Sequence, residues 1–175
     1  MGKYPHLFSE GRIGKLTIRN RVIMPAMGTL LADADGQVSD HQIAYYAERA
    51  RGGAGLIVTE IVAVEPKLGK ATAVQMRADE DRFISRLGRL AAAVQKHGAR
   101  VFAQLHHAGN QSTSRISGGK QIVAPSSVTN QAIGEEPRAL TTEQVRDLVQ
   151  ELVSAAFRCR TAGFDSVELH GAHGY

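Results

Sequence analysis

The chain is 175 residues long, 43% apolar and 22% charged, with a formal charge of +4. That length fits one domain with a sizeable core, and the charge is spread without blocks of one sign, so no nucleic-acid partner is expected. The apolar run of roughly eighteen residues that a membrane span needs is absent from the sequence, so no membrane partner is expected either.

The start, "MGKYPHLFSEG", lacks the apolar run of a signal peptide. Cys159 is the only cysteine, which excludes an intrachain disulfide and a cysteine-based metal centre within this segment. A reducing, cytoplasmic setting is the expectation. Taken in order, "KLTIRN" predicts a short strand with a turn at Arg19 and Asn20. "RVIMPAM" predicts a buried strand ending near Pro25, because proline cannot donate to a central ladder. Ser39 or Asp40 can cap a helix that Gly52 and Gly53 stop near Arg51. "AGLIVTE" is continuously apolar, as in a strand covered on both faces. Phe83, Leu87, Leu90, Ala91 and Val94 recur at helical spacing within a helix predicted over residues 79–97.

"RVFAQLHH" predicts a third buried strand. Residues 108–140 show no period and are expected to be a long binding loop. Thr141, with Gln144 three residues on, predicts a capping box for a long helix ended by Gly163. "DSVELHG" is the fourth strand. Strand and helix thus alternate four times, with strand starts near Val22, Leu56, Val101 and Ser166. This predicts an α/β fold with a parallel sheet. A doubly wound sheet would show a glycine-rich loop after its first strand, and "PAMGTLLADADG" does not match one. Four units are half of a (β/α)8 barrel, so the fold expected is the N-terminal half of a TIM barrel, with open, apolar sheet edges.

In such barrels the active site lies at the C-terminal strand ends. Here those ends carry Ala26 to Thr29, Thr59 to Ile61, Gln104 with His106 and His107, and His170 with His173 and Tyr175. His170 and His173 can bind a metal, act as acid and base, or donate hydrogen bonds to a carbonyl oxygen; equally, one can be structural and the other a surface residue. The phenol of Tyr175, with an ordinary pKa of about 10, can protonate only a strongly basic site such as a carbanion-like carbon. Gln104 within an apolar strand needs partners: a flat heteroaromatic ligand, neighbouring backbone or water. Gly28 and Gly109 allow close approach of backbone to a ligand. Met24 and Met27 are read from the residues as barrel core, and Cys159 as a buried helical residue.

"NRVIMPAM", "YYAERARGGAGLIVTE", "AQLHHAG", "VAPSS" and "ELHGAHGY", in this order, resemble the old yellow enzyme family of FMN-dependent NADH:flavin oxidoreductases. The resemblance spans the chain and points to the branch of 2,4-dienoyl-CoA, enoate and bile-acid enone reductases. It implies an FMN-binding TIM barrel of which residues 1–175 are the N-terminal half, truncated after the fourth strand, with "KLTIRN" in a hairpin closing the barrel bottom. It further implies that Ala26, Met27, Gly28, Thr29, Ile61 and Gln104 bind FMN, with Gln104 on the pyrimidine edge. His170 and His173 would grip the substrate oxygen, and Tyr175 would donate the proton.

The implied reaction passes hydride from NADH or NADPH through FMN to the C=C bond of a small-molecule enone, enoate or enoyl thioester. Larger relatives carry a 4Fe–4S cluster and FAD in a C-terminal region, and a homo-oligomer is compatible with the resemblance. Many relatives place Cys or Thr where Gly28 stands and Arg where Asn110 stands, and Ile61 is larger than the residue usual there. The segment alone is expected to bind FMN poorly and not to turn over. Two other readings stay open: a metal-dependent barrel hydrolase or lyase using His106, His107, His170 and His173, and an inactive remnant or split-barrel interaction module.

Overall fold

The computed structural model describes residues 3–175; the first two residues of the expected 1–175 domain lie outside the described residues. The chain opens with an antiparallel hairpin of β1 (Gly11–Ile13) and β2 (Leu16–Ile18). β2 lies within "KLTIRN", the segment for which the resemblance implies a hairpin; β1 is not among the strands expected from the residues themselves. β3 (Ile23–Met24) then leads to α1 (Asp40–Arg51), where Ser39 accepts a hydrogen bond from the Gln42 N–H and caps the first turn. Gly53 ends the helix at φ 108°, a backbone conformation that costs other residues a clash.

β4 (Leu56–Ala63) follows, then the two-residue β5 (Met76–Arg77). The second helix is shorter than expected. A 3-10 turn takes Asp81–Phe83, and α2 runs over Ile84–Gln95. After β6 (Arg100–His106), the expected long loop holds a 3-10 turn, Gly109–Gln111, and a parallel pair, β7 (Val123–Ala124) with β8 (Arg138–Ala139). α3 (Thr142–Thr161) carries the predicted capping box of Thr141 and Gln144, and β9 (Ser166–Leu169) closes the series.

The main sheet runs β3-β4-β6-β9, each pair parallel and each neighbour next in the βα series. This is the strand order of half a (β/α)8 barrel. β3 covers only the start of β4, and β5 pairs with β4 at Val62 and Ala63, so that edge is partly closed by two short strands.

Side chains alternate across each strand. Ile57, Val62, Val101, Ala103 and Leu105 face the helices and form the main core with Tyr46, Phe83, Leu87, Leu90, Val94 and Cys159. Leu56, Val58 and Phe102 face the other way and meet Ile18 of the hairpin, which plugs the interior side of the sheet. The Arg19 guanidinium donates to the carbonyls of His97, Ala50 and Ala54 at 2.6–2.9 Å, tying the C-terminal ends of α1 and α2 to the hairpin exit. Asp165 accepts from Arg100, the Val101 N–H and Gln95, which sets β9 against β6. Among the described residues, no helix is long and apolar enough to cross a membrane.

Candidate active site

Above the apolar floor of Leu56, Val58 and Phe102, the interior face of the sheet turns polar. A bulge causes part of this change. Val58 pairs with Phe102 but Ile61 pairs with Gln104, so Thr59 and Glu60 together stand opposite Ala103. Ile61, Gln104 and Glu168 then lie in one row across β4, β6 and β9. Ile61 is half-buried in a strand whose other residues are buried. Gln104 is buried, and its amide donates to the Glu168 carboxylate at 2.7 Å. The partner that the sequence reading required for this amide is therefore in part a carboxylate two strand positions before His170.

The bulge sends Glu60 toward α1 and the exit of β3. Its carboxylate, 5% exposed, accepts from the Thr29 N–H at 2.5 Å, the Thr29 hydroxyl at 2.7 Å and the Gln42 amide. The Tyr46 hydroxyl and the Glu60 N–H meet at 2.8 Å. Burial, and secondly the charge of Glu60, push the Tyr46 phenol far up, so it stays protonated. Ala26 is half-buried, Met27 exposed, and a Cβ on Gly28 would meet open space. The residue-based expectation that Met27 is core is thus corrected: it is 57% exposed, because the chain leaves the sheet after Met24. Met24 does pack against the main core.

His170, His173 and Tyr175 come together just beyond β9. The His170 N–H donates to the Leu105 carbonyl at 3.0 Å, which extends the ladder by one residue. The His170 ring centroid lies 5.3 Å from that of His173 and 5.0 Å from that of Tyr175. His173 sits at φ 59°, a left-handed conformation that costs a non-glycine residue about 1–2 kcal/mol. The Gln111 amide donates to its carbonyl and holds that turn. Among the described residues, the only other non-glycine with positive φ is Leu30, beside Thr29. Such outliers are typical of functional sites.

His106 belongs to the same cluster. It follows Phe102 and Gln104 at two-residue intervals on the interior face, so strand alternation alone could have placed it. Its ring centroid is 4.5 Å from Tyr175, edge to face, and 5.5 Å from His170. Burial, then the neighbouring His170 and His107, push its pKa down to about 3. His170 is also pushed down, by desolvation and then by His173, against the opposing pull of Glu168. His106 and His170 are thus held as neutral imidazoles, each with one N–H, beside the ring of His173 and a phenol. Such groups can hold a carbonyl oxygen and deliver a proton.

His107 is not part of this cluster. It packs so tightly on Gly69 that a Cβ there would lie 2.4 Å from its ring, and its Nδ1 accepts from the Gly109 N–H. Burial lowers its pKa. Among the described residues, no group of three or more His, Cys, Asp or Glu side chains is arranged to hold a metal ion. The four histidines of the metal-enzyme reading therefore do not form a ligand set.

Comparison with known proteins sharpens this picture. An NADH oxidase of Thermoanaerobacter brockii is 51% identical over 175 residues, covering 100% of this chain and 27% of that protein. A solved 2-naphthoyl-CoA reductase superposes with a TM-score of 0.92 at 28% identity, covering 98% of this chain and 28% of the other. A solved morphinone reductase gives 0.87 at 30% identity, covering 98% and 49%. The chain spans about a quarter to a half of the length of these relatives. The model of the NADH:flavin oxidoreductase / NADH oxidase family matches residues 6–175, and the chain belongs to that family.

Proposed function

We propose that the protein containing this chain is an FMN-dependent oxidoreductase that reduces the C=C bond of an α,β-unsaturated carbonyl or carboxyl compound at the expense of NADH or NADPH. Residues 1–175 then form the N-terminal half of its FMN-binding barrel domain. The observation that carries this reading is the clustering of His170, His173 and Tyr175 next to the row of Ile61, Gln104 and Glu168.

Ile61 and Gln104 of that row, with Gly28 from the stretch after β3, fit a flavin ring. Ile61 offers a half-buried apolar surface, Gln104 an amide edge, and Gly28 a backbone approach with nothing in the way of a ligand. The backbone of Ala26 and Met27 supplies further hydrogen-bonding groups at that exit. Thr29 contributes by position, since its N–H and hydroxyl are already bonded to Glu60. Bound FMN would supply the hydride relay between a nicotinamide and a carbon–carbon double bond.

The chain's own residues do the rest. His170 and His173 donate hydrogen bonds to the carbonyl oxygen and stabilise the negative charge that develops on it. Desolvation lowers the pKa of His170, which favours the neutral imidazole that donates a hydrogen bond without giving up a proton to the substrate. Tyr175 holds the proton delivered to the α-carbon, a partner basic enough to take it from a phenol. Similarity to reductases named for morphinone and 2-naphthoyl-CoA supports ketone and thioester substrates alike.

Purification of the full-length protein tests the proposal. A flavin spectrum bleached by NADH or NADPH, with activity unaffected by chelators, is the expected result. A colourless protein whose activity is lost with a chelator would overturn it in favour of metal-dependent chemistry.

A further inference from the structure

His106 is 1% exposed, and its Nε2 has no hydrogen-bond partner among the described residues. Its Nδ1 faces the Gln75 amide nitrogen at 3.3 Å. That amide cannot be turned around without loss. Gln75 is buried, and its oxygen accepts the backbone N–H groups of Ala71 at 2.9 Å and Thr72 at 3.4 Å. Its NH2 group therefore donates to His106 Nδ1, which must be the unprotonated nitrogen. In a neutral imidazole the proton then sits on Nε2. The result is a fixed, buried donor without an acceptor, in a ring packed against Tyr175 and His170.

We propose that His106 is a third hydrogen-bond donor to the ligand of this site, and that it selects ligands with two acceptor oxygens, a carboxylate above all, over ligands with one. The inference rests on the reading of His170 and His173 as oxygen-binding donors. A ketone oxygen has two lone pairs and is saturated by two N–H groups. A carboxylate has about four acceptor positions on two oxygens and can take a third. A ketone leaves the Nε2–H buried and unpaired, which is unfavourable, whereas a carboxylate satisfies it. The depressed basicity of His106 keeps the imidazole neutral, so the tautomer set by Gln75 persists through the physiological range. Glu168, the carboxylate that acts on His170, is held by Gln104.

Benzoate and acetophenone, which share a ring and differ in carboxylate against ketone, test the idea by calorimetric titration of the full-length protein as purified. The wild type is expected to bind benzoate more tightly. His106→Phe should weaken benzoate about tenfold, the effect of one lost hydrogen bond, and leave acetophenone nearly unchanged. His106→Gln, which keeps an N–H donor, should retain part of the preference and serves also if the Phe variant does not fold. Equal changes for both probes, or none, would overturn the proposal. So would a wild type that binds neither probe or prefers acetophenone. The flavin spectrum is read separately: its absence with an intact benzoate preference would remove the flavin reading while this inference stands.

Discussion

At His106, burial works against charge. An imidazole in the unfolded chain titrates near its ordinary value of 6.5, whereas the folded one stays neutral down to about 3. Between these values the unfolded chain binds more protons. The stability associated with neutral His106 is therefore full above about 6.5 and is lost as pH falls toward about 3. Thermal melts across that range should show stability falling with pH more steeply in the wild type than in His106→Phe. Parallel curves would mean that His106 is not held neutral. The residues of this cluster differ in how far the sequence displays them. His170, His173 and Tyr175 are close in sequence, at the end of one strand, so their meeting was legible. His106 was legible from its alternation with Gln104, yet the pairing of His106 with Gln75 crosses 31 residues, from a loop with no local pattern.

Among the elements, the long apolar strands and the capped helices were readable because burial on both faces and cap chemistry leave local marks. β6, α1 and α3 match their expected positions to within a residue or two, and β4 starts at Leu56 as expected but runs three residues past the expected end at Glu60. β5, β7 and β8 left no such mark, since two-residue strands are defined by their partners. The bulge in β4 was equally invisible, although it decides where Glu60 goes. Glu60 joins β4, α1 and the exit of β3 through one carboxylate. Glu60→Gln replaces an acceptor by an NH2 group that faces donors. It should cost about 1–3 kcal/mol, read as a lower urea midpoint at unchanged slope. It should also weaken flavin retention, because the stretch from Ala26 to Thr29 loses its anchor. A stable variant with normal flavin content would show that this stretch is positioned by other contacts.

For the whole molecule, the notable surface is apolar. Val145, Val149, Val153 and Phe157 recur every four residues along α3 and are 39–66% exposed; Leu169 on β9 is 65% exposed. Exposed apolar stripes of this kind lower solubility unless something covers them. Expressed by itself, the 175-residue chain should therefore self-associate, and Val153→Glu with Phe157→Glu should make it more soluble. The other half of the proposed barrel domain would cover the stripe in the full-length protein, where the same pair should then lower the melting temperature. An unchanged melting temperature would mean that the face is solvent-exposed in the parent as well.

Proton donation by Tyr175 is the central step of the proposed flavin-dependent reduction. Its most direct test separates the two half-reactions anaerobically in the full-length protein and its Tyr175→Phe variant. Flavin reduction by NADH or NADPH should proceed at equal rates in the two proteins. Reoxidation by an α,β-unsaturated ketone should fall at least about a hundredfold in the variant, the scale of a lost general acid. Equal rates of reoxidation, or equal slowing of both halves, would contradict it.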